Sequence, residues 1–124
     1  MSSAVENNFR IAVVGACASG KSTLVSSLRK AEYEVHHVAQ EHSYVPDMWQ
    51  RICQPDLLIY LDVNYETIRA RKPHLDFQPE HLVEQNQRLA HARQHCQLYL
   101  DTNELSASEV QTQTLSFLEQ FAHQ

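Results

Sequence analysis

A chain of 124 residues, 43% of them hydrophobic, is long enough to bury one sizeable core and too short for several. Its net charge of −5, without any cluster of five or more basic residues, argues against nucleic acid as a partner, and no apolar run approaches the length of a membrane span. Segment 1–8 is polar and lacks a signal peptide's apolar stretch, and Cys17, Cys53 and Cys96 are an odd, scattered set, so reduced thiols in the cytoplasm are expected.

No internal repeat or low-complexity linker divides the chain, and residues 1–124 read as one domain. In chain order, residues 9–14 form an apolar, β-branched strand, and residues 22–30 carry apolar side chains at 24, 25 and 28, the spacing of one helix face. Residues 33–39 lean towards a short strand that ends in Gln40-Glu41-His42-Ser43. Pro46 suits the first turn of a short helix through Cys53, with Met48, Trp49 and Ile52 facing inward. Residues 57–62 are another fully apolar strand, after which Asn64 can cap a helix from Tyr65 to about Lys72, stopped by Pro73. Pro79 opens a longer helix to about His95, with Leu82, Val83, Leu89, Ala90 and Cys96 on one face. Residues 97–101 are the last strand. Ser106 and Glu109 then form a capping box, with Leu105 and Val110 placed as its hydrophobic staple, and the final helix carries Val110, Phe117, Leu118 and Phe121. Strands alternating with helices imply an α/β fold whose parallel sheet is covered on both faces.

The chain contains only two glycines, Gly15 and Gly20, and both fall in GACASGKS at residues 15–22. That octet is the phosphate-binding pattern GxxxxGK[ST], here set between a strand and a helix. Glycine lets the backbone approach phosphate oxygens closely, so successive amides from about Ala16 through Cys17, Ala18, Ser19, Gly20 and Lys21 to Ser22 should converge on a β-phosphate at the positive end of the helix. Lys21 should reach the β- and γ-phosphates, Ser22 should ligate Mg²⁺, and Thr23 is placed to touch the α-phosphate. The expected ligand is a nucleoside triphosphate. Glu41, following an apolar strand, is a candidate to hold Mg²⁺ through water or to orient an attacking hydroxyl.

Over residues 11–22 and 55–121 the chain resembles the P-loop kinases of nucleosides, nucleotides and small metabolites. PDLLIYLDV at 55–63 is similar to the PDLxIYLDV strand of thymidylate and deoxynucleoside kinases, and TIRARK at 67–72 stands where that family carries its LID arginines. CQLYLDT at 96–102, followed by a helix, is similar to the family's last strand, whose DT loop borders adenine. The resemblance implies a three-layer α/β/α P-loop NTPase fold of about four parallel strands, in the order 33–39, 9–14, 57–62, 97–101. It also implies ATP and Mg²⁺ as cofactors, Arg71 folding over the phosphates with Arg69 and Lys72 as lesser candidates, and Thr102 with Asn103 beside the base. The family inserts a substantial acceptor-binding segment before a DR[SHY]-like motif. Here only residues 31–40 precede the nearest equivalent, Glu41-His42-Ser43, with His42 in the arginine's place, which implies an acceptor pocket that is absent or much reduced.

Other residues weigh less. Asp62 ends an apolar strand as a Walker B aspartate does, but capping the next helix is the plainer expectation. Cys17 lies near Lys21 and a helix N-terminus, a setting for a reactive thiol, although loop filler is the better reading. His91 and His95 stand at i, i+4 with Cys96 adjacent, a spacing that can bind metal but that reads better as a solvated helix face. Two functions therefore compete: an ATP-dependent kinase acting on a small molecule, and a nucleotide-binding or slow ATPase module acting through a protein partner. A GTPase is disfavoured, because neither Lys30 nor Lys72 sits in an [NT]KxD motif and a DxxG switch needs a third glycine.

Overall fold

The computed structural model describes residues 9–122; the polar segment 1–8, where a leader was sought, lies outside them. Four strands form one all-parallel sheet: β1 (Arg10–Gly15), β2 (Glu34–His37), β3 (Leu57–Asp62) and β4 (Leu98–Asp101), in the spatial order β2-β1-β3-β4. This is the order expected from the sequence. The central strands β1 and β3 are buried on both faces, which is why both read as continuous apolar runs rather than as alternating ones.

The helices divide between the two faces. On one, α1 (Lys21–Lys30) and α5 (Ala107–Ala122) bury Leu24, Leu28, Val110 and Leu118 against Ile11, Val13, Ile59 and Leu61. On the other, α2 (Met48–Cys53), α3 (Tyr65–Arg71) and α4 (Pro79–His95) cover Ala12, Val14, Leu58 and Tyr60 with Trp49, Cys53, Ile68, Leu89 and Ala92. The period-two alternation of β1 and β3 thus feeds two separate apolar layers. At roughly 25 cal/mol per Å² of apolar surface, each fully buried Leu or Ile contributes about 1.5–3 kcal/mol before entropy is counted.

Local chemistry sets the ends. The Asn64 side chain accepts from the Thr67 amide at 2.8 Å and starts α3, and the Ser106–Glu109 capping box closes with bonds of 2.8 and 3.1 Å. At the start of α4 the Gln78 backbone amide donates to His81 Nδ1 at 2.9 Å. Helix α2 begins at Met48, so Pro46 lies in the turn before it rather than in its first turn. Ile52 points outward, 65% exposed, because six residues of helix bury only Trp49 and Cys53. On α4 the inward stripe runs Leu82, Gln85, Leu89 and Ala92, at helical spacing, so Val83 and Ala90 face out instead of joining it. Strand β2 is shorter than residues 33–39, since a 3₁₀ turn at Gln40–His42 takes over soon after the Val38 amide's bond to Val13. Among the described residues no helix is long and apolar enough to cross a membrane.

Candidate functional site

The two glycines do different jobs. Gly20 has φ +100, a conformation that suits glycine, with open space where a side chain would go. Gly15 is needed for room: a Cβ there would meet the Leu61 carbonyl oxygen at 2.5 Å and Ser19 Oγ at 2.6 Å. Elsewhere the chain turns without glycine and places Ala18, Glu32 and Gln54 at positive φ, at a cost of about 1–2 kcal/mol per residue. The result is a strand, a tight loop and a helix whose N-terminus has no side-chain cap and no acidic residue in its first turn. Its free amides and partial positive charge suit an anion.

A cavity of about 630 Å³ opens at this N-terminus. Residues 17–23 of the loop line one wall, Glu41 and His37 a second, and Arg71, Lys72, Thr102 and the first turns of α5 the rest. The expected loop residues from Cys17 to Thr23 therefore share the cavity with Glu41, Arg71 and Thr102; Gly15 and Ala16 are not among its lining residues. Two of the amides expected to converge do not point there. The Cys17 amide donates to Gln85 Oε1 at 2.9 Å and the Ser19 amide to the Ala16 carbonyl at 3.2 Å, which stitches the loop to α4 and closes its turn.

Lys21 and Glu41 form the electrostatic centre. Lys21 Nζ lies 3.0 Å from Glu41 Oε2 and donates to the Gly15 and Ala16 carbonyls at 2.8 and 3.1 Å. An ammonium has three donors, and all three are engaged. Both side chains are more than nine-tenths buried, yet Glu41 Oε1 has no hydrogen-bond partner. A buried carboxylate oxygen without a partner is costly and marks capacity for a further ligand. The exposed His42 ring also lies near the carboxylate, 3.7 Å from Glu41 Oε2.

The turn that presents Glu41 is held by a residue the sequence reading passed over. Gln40, fully buried, accepts from the Trp49 amide at 2.8 Å and donates to the Val45 and Arg88 carbonyls at 2.9 and 3.1 Å. Arg88 in turn donates to the Glu41 carbonyl at 3.3 Å. His37 was also missed. It ends β2 beside the loop, and burial, then the Lys21 charge, holds its imidazole below the usual histidine range. No local sequence signal marks these supports: Gln40 precedes Glu41-His42-Ser43 and Gln85 lies among Glu84, Asn86 and Gln87, so only the tertiary fold buries them.

Arg71 spans the cavity's far side. It donates to the Ala18 carbonyl at 2.8 Å, to Thr102 Oγ1 at 3.3 Å and to the Thr102 carbonyl, tying the loop to the β4–α5 connection. The buried Thr102 hydroxyl lies 3.2 Å from the Ser19 carbonyl and 3.0 Å from that of Asp62. Lys72 lines the cavity, whereas Arg69 lies over the Tyr65 ring and bonds its hydroxyl at 3.2 Å, outside the lining. Asn103 is turned to the Asn64 amide at 2.7 Å and is not in the lining either.

Asp62 neither reaches the loop nor caps α3. It accepts from the Val63 amide at 2.9 Å and from the Tyr99 hydroxyl, with Arg93 3.5 Å away. His91 accepts from the Trp49 indole at 3.2 Å and stacks on His95, 4.2 Å between centroids; among the described residues no His, Cys, Asp and Glu group forms a metal cage.

The cavity lining offers Mg²⁺ the Ser22 hydroxyl and the Glu41 carboxylate, whose Oε1 is buried without a partner. Both are hard oxygen donors of the kind that ion takes, so the residues present fit it. No protein-family model matches this chain, and no curated protein matches it either.

Proposed function

We propose that this protein is a P-loop NTPase, a shortened relative of the nucleotide and small-metabolite kinases, which binds ATP with Mg²⁺ and passes the γ-phosphoryl group to a small acceptor. The observation that carries the reading is GACASGKS between β1 and an uncapped α1, with Lys21 buried against a cavity of about 630 Å³. That volume lies within the range of small-molecule and cofactor sites, about 300–1,000 Å³.

In this reading Lys21 and the loop amides hold the β- and γ-phosphates, and Arg71 closes the loop from above. Ser22 and Glu41 would hold the metal, whose charge would offset that of the phosphates. Thr102, Leu105 and Val110 border the base. We assign the protein to the cytoplasm on its odd, scattered cysteines.

One observation favours a second reading, a nucleotide-binding or slow ATPase module that acts through a protein partner. Strand β2 follows α1 after residues 31–33 alone, so nothing between them covers the Glu41 side of the cavity. Phosphoryl transfer needs an acceptor held in line and water kept out.

Calorimetry with Mg-ATP tests the nucleotide reading. Lys21→Ala, checked for fold by circular dichroism, should lose roughly 2–3 kcal/mol of binding; equal affinity in both proteins rules the site out. A screen of nucleosides, nucleotides and hydroxylated metabolites with labelled ATP separates the two activities. Transfer at the roughly 1–100 s⁻¹ of kinases establishes the first, and only slow hydrolysis favours the second.

A further inference from the structure

We infer that Glu41 is a built-in competitor for phosphate at Lys21, and that this makes the site discriminate between a metal-complexed polyphosphate and the same polyphosphate as a free anion. The inference rests on the nucleotide reading above. The Glu41 carboxylate, 3.0 Å from Lys21 Nζ, stands where an anion's oxygen would bind. The other two Lys21 donors are spent on the Gly15 and Ala16 carbonyls, so the ammonium has none to offer without giving up a bond.

Glu41 cannot simply leave. Its turn is pinned by the buried Gln40, through bonds to Trp49, Val45 and Arg88, and by the bond from Arg88 to the Glu41 carbonyl itself. If a free anion took Lys21, the carboxylate would stay in the cavity, buried, with both oxygens unpaired and facing a like charge. One of those oxygens, Oε1, lacks a partner already. A released Glu41 therefore needs a cation in place of the ammonium, and its carboxylate is the group that would meet one. Divalent metal and phosphate together satisfy what phosphate alone leaves open: Lys21 exchanges one carboxylate for another anion, and Glu41 exchanges an ammonium for a metal.

An amide at this position keeps the shape and an acceptor oxygen but removes the charge. The test is calorimetry of the full chain with ATP, in Mg²⁺ and in EDTA, for wild type, Glu41→Gln and Glu41→Ala, each checked for fold by circular dichroism. In EDTA the variants should bind ATP at least about tenfold more tightly than wild type, since a like charge has gone from the site. In Mg²⁺ they should bind no more tightly than wild type. Glu41→Ala serves should the amide fail to fold. Metal-free affinity in a folded variant equal to or below that of wild type, while wild type binds Mg-ATP, overturns the competitor and leaves the nucleotide reading standing. Wild type that binds ATP in neither buffer overturns the nucleotide reading, and the competitor with it.

Discussion

Glu41 comes shortly after β2 and Asp62 ends β3, both where the parallel strands finish, yet the fold treats the two carboxylates in opposite ways. Around Asp62 both oxygens are used: one accepts from the Val63 amide, the other from the Tyr99 hydroxyl, with Arg93 alongside. The Tyr60 and Tyr99 rings stack there, 5.7 Å apart, and Arg93 lies over both. Around Glu41 one oxygen holds a buried ammonium and the other holds nothing. Asp62 belongs to a closed network, and Glu41 to an open one on a cavity. Spare bonding capacity, more than position after a strand, distinguishes a candidate ligand group from a structural one.

The comparison breaks most visibly at Lys21. Removing the ammonium leaves Glu41 buried and unpaired, so Lys21→Ala should lose about 3 kcal/mol of stability in denaturant unfolding. Adding Glu41→Gln should recover most of that loss. A Lys21→Ala protein as stable as wild type would mean that the buried pair carries no such strain.

Next in size is the loop that presents the pair. Gly15→Ala forces a methyl against the Leu61 carbonyl, with the overpacking cost of about 2 kcal/mol. Gly20→Ala meets no atoms and should lose only the left-handed penalty, about 1 kcal/mol. The reverse ranking in thermal melts would show that the backbone, and not the crowding at Gly15, limits the loop.

On the closed side, Tyr99→Phe removes one bond to Asp62 and should cost about 1 kcal/mol without changing ATP affinity. A loss of ATP affinity would tie Asp62 to the site after all. The same network has a pH signature. Burial, with the Asp62 contact second, pushes Tyr99 up to about 12, and burial with the Asp62 charge does the same for Tyr60. Folding favours the neutral phenol of each, so their contribution is complete below the ordinary tyrosine pKa near 10 and fades as pH rises towards 12. Ultraviolet titration should find two tyrosines ionising late, and their ionisation at the ordinary pH would contradict the network.

The smallest expected effect is a difference in labelling rate. Cys17 lines the cavity and Cys96 does not, although both are half-buried. Mg-ATP should slow maleimide reaction at Cys17 several-fold and leave Cys96 unchanged. Equal protection would move the ligand away from the loop.

Much of this was legible in the sequence because it is local. The Asn64 cap, the Ser106–Glu109 box and the start of α4 at Pro79 all rest on residues a few positions apart, whereas the order of the strands came from the family resemblance. Helix faces were harder. Val83 and Ala90 are apolar but lie off the stripe that the sheet selects, and Gln85 is polar but lies on it, because its amide oxygen serves Cys17. Ile52 was misjudged for the same reason, since a helix as short as α2 has too few turns for its period to decide which side is covered.

Sequence by itself determined the alternation of strand and helix, and the octet whose two glycines leave a helix N-terminus bare, since both depend on backbone freedom and short-range periodicity. Tertiary structure alone decided which carboxylate meets Lys21, because Glu41 and Asp62 look alike in the chain. It also decided that Arg71 reaches back to Ala18, 53 positions earlier, and that Gln40 pins the turn through Arg88, 48 positions later. Such pairings follow from how parallel strands bring distant ends to one edge, and burial then sets the worth of each charge placed there.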